Sequence, residues 1–257
     1  MLRWFVILGL FCVPFARADD RANPLLLSGV AEFNAAYQAW DGVRFAAAAE
    51  QLRQASAQDP KSSRCAYWLG AAHFHHVLHF QSRPTDRASK AAMEAAMDAA
   101  VKALARALEL NDRDAESHAA LGTLYGMKIN GNWLRAARFG PRVQKHRNQA
   151  LEFGAQNPRV LYLVGTCQFH TAKSAASKRE ALATLLAAEK LFETESLRPA
   201  EPLEPRWGYS SCLTFVGRSY ESLGETASAV EYFRKALALH PADHFAREGL
   251  ERVTGNK

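Results

Sequence analysis

Residues 213–241 read LTFVGRSYESLGETASAVEYFRKALALHP. Leu213, Val216, Gly217 and Tyr220 recur at the spacing that places side chains on one face of a helix. Gly224 marks a turn. Ala229, Phe233 and Ala236 then form a second ladder, small–aromatic–small, and Pro241 closes it because proline cannot continue a helix. Two short amphipathic helices of this kind cannot bury their apolar faces alone, so the stretch requires neighbours built like itself.

Such neighbours are present upstream. Leu69-Gly70 precedes Ala71, Leu121-Gly122 precedes Tyr125, and Val164-Gly165 precedes Phe169. A weaker copy has Ala36, then Ala48, Leu52, Ala55 and Pro60. Further ladders read Ala100, Leu104, Ala107 and Ala181, Leu185, Ala188. The small-residue anchors Ala36, Gly70, Gly122, Gly165 and Gly217 are spaced 34, 52, 43 and 52 residues apart.

These residues resemble the tetratricopeptide repeat (TPR), with its small residue, aromatic position, turn glycine and closing proline. The resemblance implies a helical hairpin repeated about every 34 residues. The longer spacings predict inserted or lengthened segments. The expected fold is all-α: a TPR-like right-handed α-solenoid of about five hairpins (about 29–62, 63–114, 115–157, 158–194 and 210–243), with a capping helix over 244–254. Repeat III aligns least well, and its second helix is expected from about Val143 to Phe153. Gly131 and Pro141 predict that any helix in the stretch between them is short. Strand-like alternation is absent.

Residues 1–18 read as a cleavable secretory signal: Arg3, an apolar run from Trp4 to Phe15, then Ala16-Arg17-Ala18. This predicts a periplasmic or secreted chain over 19–257 with no transmembrane segment after cleavage. The chain has 257 residues, a net charge of +6 and 48% hydrophobic residues, an ordinary globular composition. Two of the positive charges, Arg3 and Arg17, leave with the signal. The remaining excess is too mild to point to nucleic acid. Cys65, Cys167 and Cys212 fall in expected helices and read as small buried residues. Asn157-Pro158-Arg159 and Pro205-Arg206-Trp207-Gly208 also resemble segments of exported bacterial TPR proteins; that likeness carries no activity.

Three features are candidates for chemistry. TPR hairpins line their concave groove with the first helix of each repeat. Carried over by register, the family's groove positions fall on Arg64, Tyr67, Phe74 and His75, then Glu116 and Thr123, then Arg159, Tyr162, Phe169 and His170, then Thr214, Arg218 and Glu221. Arginines and aromatics of this kind suit a protein or peptide partner. A small anionic ligand, for example for an envelope transporter, is the alternative. On this reading, Arg159→Ala weakens partner binding at little cost to the fold.

The second feature is the basic stretch holding Arg135, Arg138 and Arg142 among Trp133 and Phe139, suited to an anionic contact. The third is the cluster His73, His75, His76 and His79. His75 and His79 share a helix face, but His76 stands where a zinc protease needs its catalytic Glu. A metal-dependent enzyme is therefore only a remote reading. Phosphate-loop, dinucleotide and nucleophile-elbow motifs are also missing, so a non-enzymatic chain without cofactor is expected. The linker from Glu195 to Pro205, with Pro199, Pro202 and Pro205, is expected to cross the surface between repeats IV and V, with Trp207 anchoring its end.

Overall fold

The computed structural model describes residues 23–82 and 86–255. The signal expected at 1–18 lies outside the described residues. Among the described residues eleven helices follow one another: α1 (Pro24–Ala39), α2 (Gly42–Gln58), α3 (Ser63–Gln81), α4 (Arg87–Leu110), α5 (Ala115–Ile129), α6 (Trp133–Gly154), α7 (Pro158–Thr171), α8 (Ala175–Ser196), α9 (Tyr209–Ser222), α10 (Thr226–Leu239) and α11 (His244–Thr254). Consecutive pairs pack as five antiparallel hairpins, and α11 closes on α9 and α10. Among the described residues no strand occurs. Most helices start on a side-chain cap; Asn157 Oδ1, for example, accepts from Arg159 N and Val160 N ahead of Pro158.

The ladders are the core. Ala48, Leu52, Ala55, Ala100, Leu104, Ala107, Ala181, Leu185, Ala188, Ala229, Phe233 and Ala236 are all fully buried. Each bulky residue faces a glycine of the preceding helix. A Cβ on Gly70 would lie 2.5 Å from Leu104 Cγ, one on Gly165 2.8 Å from Leu185 Cγ, and one on Gly217 2.9 Å from Phe233. A Cβ in these places would force the paired helices apart.

The first hairpin corrects the sequence reading. Gly29, not Ala36, stands against Leu52, with an added Cβ 2.7 Å from Leu52 Cγ. Ala36 is buried two turns further along α1. The 34-residue interval was therefore coincidental, and the first hairpin is also lengthened.

Most of the expected insertions are longer helices. α4, α6 and α8 have 24, 22 and 22 residues. The second helix of repeat III starts at Trp133 rather than near Val143 and runs through Pro141. Its inner stripe, Phe139, Val143 and Ala150, packs into the core, which outweighs the hydrogen bond lost at Pro141. Repeat III lacks the small–bulky–small ladder. Gly122 faces His146 at an ordinary 3.6 Å, and His146 Nδ1 lies 2.9 Å from His118 Nδ1. Because His118 Nε2 must donate to Asp112 O (2.9 Å), its Nδ1 accepts from His146.

Candidate functional site

The segment between α8 and α9 fills the concave face. It runs exposed from Leu197 to Pro202, then turns inward at Leu203 and Trp207, both buried. Gly208 follows with φ +106°, a conformation glycine adopts freely. A Cβ there would come within 3.1 Å of Phe192 and 3.5 Å of Tyr162. The Trp207 ring packs edge-on against His75 at 4.8 Å, and its Nε1 donates to Tyr67 Oη at 3.2 Å. Gly208 N donates to Tyr37 Oη at 3.0 Å. The chain thus places its own Trp-Gly across the first helices of repeats I, II and IV. The linker does not simply cross the surface as its prolines predicted; a buried indole repays bringing it inward.

A buried ionic network holds this segment. Arg159 donates from Nε to Glu116 (2.7 Å) and from both terminal nitrogens to Glu195 (2.9 and 2.6 Å). Asn157 Nδ2 donates to the same Glu116 at 2.8 Å, and Tyr67 Oη donates to the other Glu116 oxygen. Arg206 Nη1 donates to the Glu195 carbonyl at 2.6 Å. Burial disfavours the Arg159 charge, but Glu116 and Glu195 outweigh it and hold the guanidinium above its ordinary pKa. Tyr67 is pushed well above its ordinary value by burial and by Glu116.

The ends of the solenoid also meet. Tyr37 stacks on His240 at 5.7 Å, His240 Nε2 donates to Gln38 O at 2.9 Å, and Trp40 lies 6.4 Å from His244.

The expected groove residues therefore divide. Tyr67, Phe74, His75, Arg159 and Tyr162 are buried beneath or beside the linker, with Glu116, Thr123 and Thr214 also buried. They do not line an open channel. Arg159 in particular is structural: removing it strands two buried carboxylates, so the expectation that Arg159→Ala spares the fold is reversed. Arg64 is exposed at the start of α3, and Glu221 is paired with Arg252.

Phe169, His170 and Arg218 do come together, joined by Phe215, which sequence reasoning missed. The Arg218 guanidinium lies 5.1 Å from the Phe169 ring and 4.8 Å from Phe215. The His170 and Phe215 rings are 5.6 Å apart. Arg218 is half-buried and has no ion-pair or hydrogen-bond partner among the described residues. Burial and nearby Arg252 pull its pKa below the ordinary value, so an anion placed there relieves the strain on its charge. Phe215 is half-buried one position before Val216 and Gly217, a position the core pattern ignores.

The histidines are packing residues. His75 sits among Phe33, Phe45, Phe74 and Trp207 and donates from Nδ1 to Ala71 O at 2.9 Å. Burial lowers its pKa to about 4, and burial with neighbouring His76 lowers that of His73 to about 4. His79 is buried against Gly42, Trp40 and Phe45. Among the described residues no group of three or more His, Cys, Asp or Glu is placed to hold a metal ion.

A cavity of about 20 Å³ between α5, α6 and α7, lined by Thr123, Arg147 and Cys167 among others, has room for one water and not for an organic solute. Cys65 and Cys212 are buried and Cys167 partly so; all three are free thiols. Arg135, Arg138 and Arg142 are exposed along α6, where Phe139 stacks on Tyr125 while Trp133 stays outside. No described helix is long and apolar enough to cross a membrane.

Solved TPR structures share the fold. The thermophilic TPR protein TTC0263 of Thermus thermophilus is similar with a TM-score of 0.60 at 14% identity, over 88% of this chain and 98% of that one. A chain of the APC/C hetero-tetramer Cut9-Hcn1 gives 0.59 at 14% identity, over 91% of this chain and 40% of that one. No curated protein matches. The family profile described as Regulator of microtubule dynamics protein 1-3 matches residues 34–253, from the last turns of α1 through most of α11, and the chain belongs to that family.

Proposed function

We propose that the chain is an exported, non-enzymatic TPR scaffold that binds a protein partner through the open corner formed by Phe169, His170, Phe215 and Arg218. The observation that carries this reading is the Arg218 guanidinium, flanked by two rings and without an ion pair or hydrogen bond among the described residues. Aromatic rings around an arginine give apolar area with a directional charge, the combination enriched at protein interfaces. An acidic side chain or a chain-terminal carboxylate satisfies it bidentately. The buried remainder of the concave face acts as a rigid support for this corner.

Protein partners are supported further by kinship. The family is described by an effect on microtubules, which are protein assemblies, and a fold neighbour is part of a hetero-tetramer. Export rests on the signal pattern of residues 1–18.

The test is binding of a panel of fluorescent peptides, matched except for a free or amidated C-terminus and for acidic or neutral side chains. Wild type, Arg218→Ala and Arg218→Lys are compared. The reading expects carboxylate-dependent binding that falls about tenfold or more in Arg218→Ala, about the worth of one charge-assisted hydrogen bond, with the melting curve unchanged. Equal binding of acidic and neutral peptides, or full affinity in Arg218→Ala, would count against it.

A further inference from the structure

A second surface lies on the outer side of repeat III. From Ser117 to Leu151 the sequence has no Asp or Glu, yet it carries Lys128, Arg135, Arg138, Arg142, Lys145 and Arg147. Lys128 is neutralised by Asp98. Arg135, Arg138, Arg142 and Lys145 are exposed on α6 and make no ion pair with any described residue. At the start of the same helix, Trp133 is 75% and Leu134 59% exposed. Leu134, Arg138, Pro141 and Lys145 succeed one another at the i, i+4, i+7 and i+11 positions of one outward stripe. The opposite stripe packs on α5, so this face is fixed in orientation rather than free to turn inward.

Arg138 and Arg142 lie over the rings of Phe139 and Tyr125, but none of the four cations has an anionic partner among the described residues, and an acidic peptide would supply one. It would leave the Trp133–Leu134 pair in water, however. The surface of an anionic bilayer satisfies both features. Indole rings settle at the headgroup level, a leucine enters the acyl boundary, and guanidinium and ammonium groups meet lipid phosphates. We propose that the outward stripe of α6 docks the protein on an anionic lipid surface, with Trp133 and Leu134 inserted and Arg135, Arg138, Arg142 and Lys145 at the phosphates. This leaves the corner at Arg218 for the protein partner, so one chain holds a partner against a membrane.

The test is flotation of the chain from residue 19, which retains the whole described fold, with phosphatidylcholine vesicles with or without phosphatidylglycerol. Binding to the anionic vesicles alone, reversed by high salt, is expected. Arg135→Glu with Arg138→Glu and Arg142→Glu should lower it at least about tenfold, and Trp133→Ser should lower it several-fold. The same charge change made by Lys102→Glu, Lys173→Glu and Lys190→Glu on other sites should leave most binding intact, as should Arg218→Ala. All these residues are exposed or half-buried, and circular dichroism checks that each variant folds. Failure to bind anionic vesicles, equal binding to neutral ones, equal losses in the two charge-reversed variants, or capture of polyglutamate without vesicles would overturn the proposal.

Discussion

Replacing Trp207 by Ala tests how firmly the chain fills its own concave face. The indole is buried against His75 and Phe74 and donates to Tyr67. Removing a buried aromatic of this size costs ~3–5 kcal/mol where the site cannot collapse. Tyr67 still donates to Glu116, so no polar orphan is added. Trp207→Phe retains most of the packing and loses the indole hydrogen bond, a cost of about 1 kcal/mol. For a chain of this length ~3–5 kcal/mol corresponds to a fall of about 6–20 °C in melting temperature.

Urea unfolding followed by circular dichroism measures both variants, and limited trypsin digestion reports the linker itself through cleavage after Arg206, since Pro199 protects the bond after Arg198. The account expects a large loss in the Ala variant, a small one in the Phe variant, and faster linker cleavage only in the former. A Trp207→Ala variant within about 1 kcal/mol of wild type, with unchanged cleavage, would refute the reasoning.

Gly70→Ala should destabilise, because its Cβ would lie 2.5 Å from Leu104, whereas Gly122→Ala meets nothing nearer than 3.6 Å and should gain up to about 1 kcal/mol of helix propensity; paired melting curves decide. Arg159→Met should cost ~3–5 kcal/mol, since it leaves buried Glu116 without a cation and buried Glu195 with only the more distant, exposed Arg198, measured by urea unfolding at neutral pH. His75 is neutral in the fold down to about pH 4 but takes a proton in the unfolded chain below its ordinary value of 6.5. Its linkage is therefore silent above that value, and stability falls as pH drops from about 6.5 to 4. His75→Phe should remove up to about 1.4 kcal/mol per pH unit from that slope in unfolding curves taken across the window.

Much of the fold is legible because the ladders are local. A bulky residue four positions after one alanine and three before another, facing a glycine, announces a tight hairpin wherever it occurs, and Leu104, Leu185 and Phe233 do so plainly. The first hairpin misled because Ala36 and Gly29 lie on one face of α1 two turns apart, and either satisfies the pattern. The length of α6 is not legible locally, because Gly131 and Pro141 read as helix breakers while Phe139 and Val143 gain their burial from α5.

The site was less legible for the same reason. Trp207 and Tyr67 are 140 residues apart in sequence, and nothing local in either foretells the bond between them. Register puts Arg159 among the groove positions, but burial under the linker makes it a strut rather than an open ligand position. Phe169 and Arg218 stay half-buried and His170 exposed, because the linker turns inward elsewhere.

The account stands on the concave face being filled by the chain's own segment. Amide hydrogen exchange at Gly208, whose N–H is bonded to Tyr37 Oη, is the most direct measure. The account predicts that this amide exchanges far more slowly than an open loop and loses its protection in Tyr37→Phe while the ladder helices keep theirs. Exchange of Gly208 at the rate of an unstructured peptide in the native protein would contradict it.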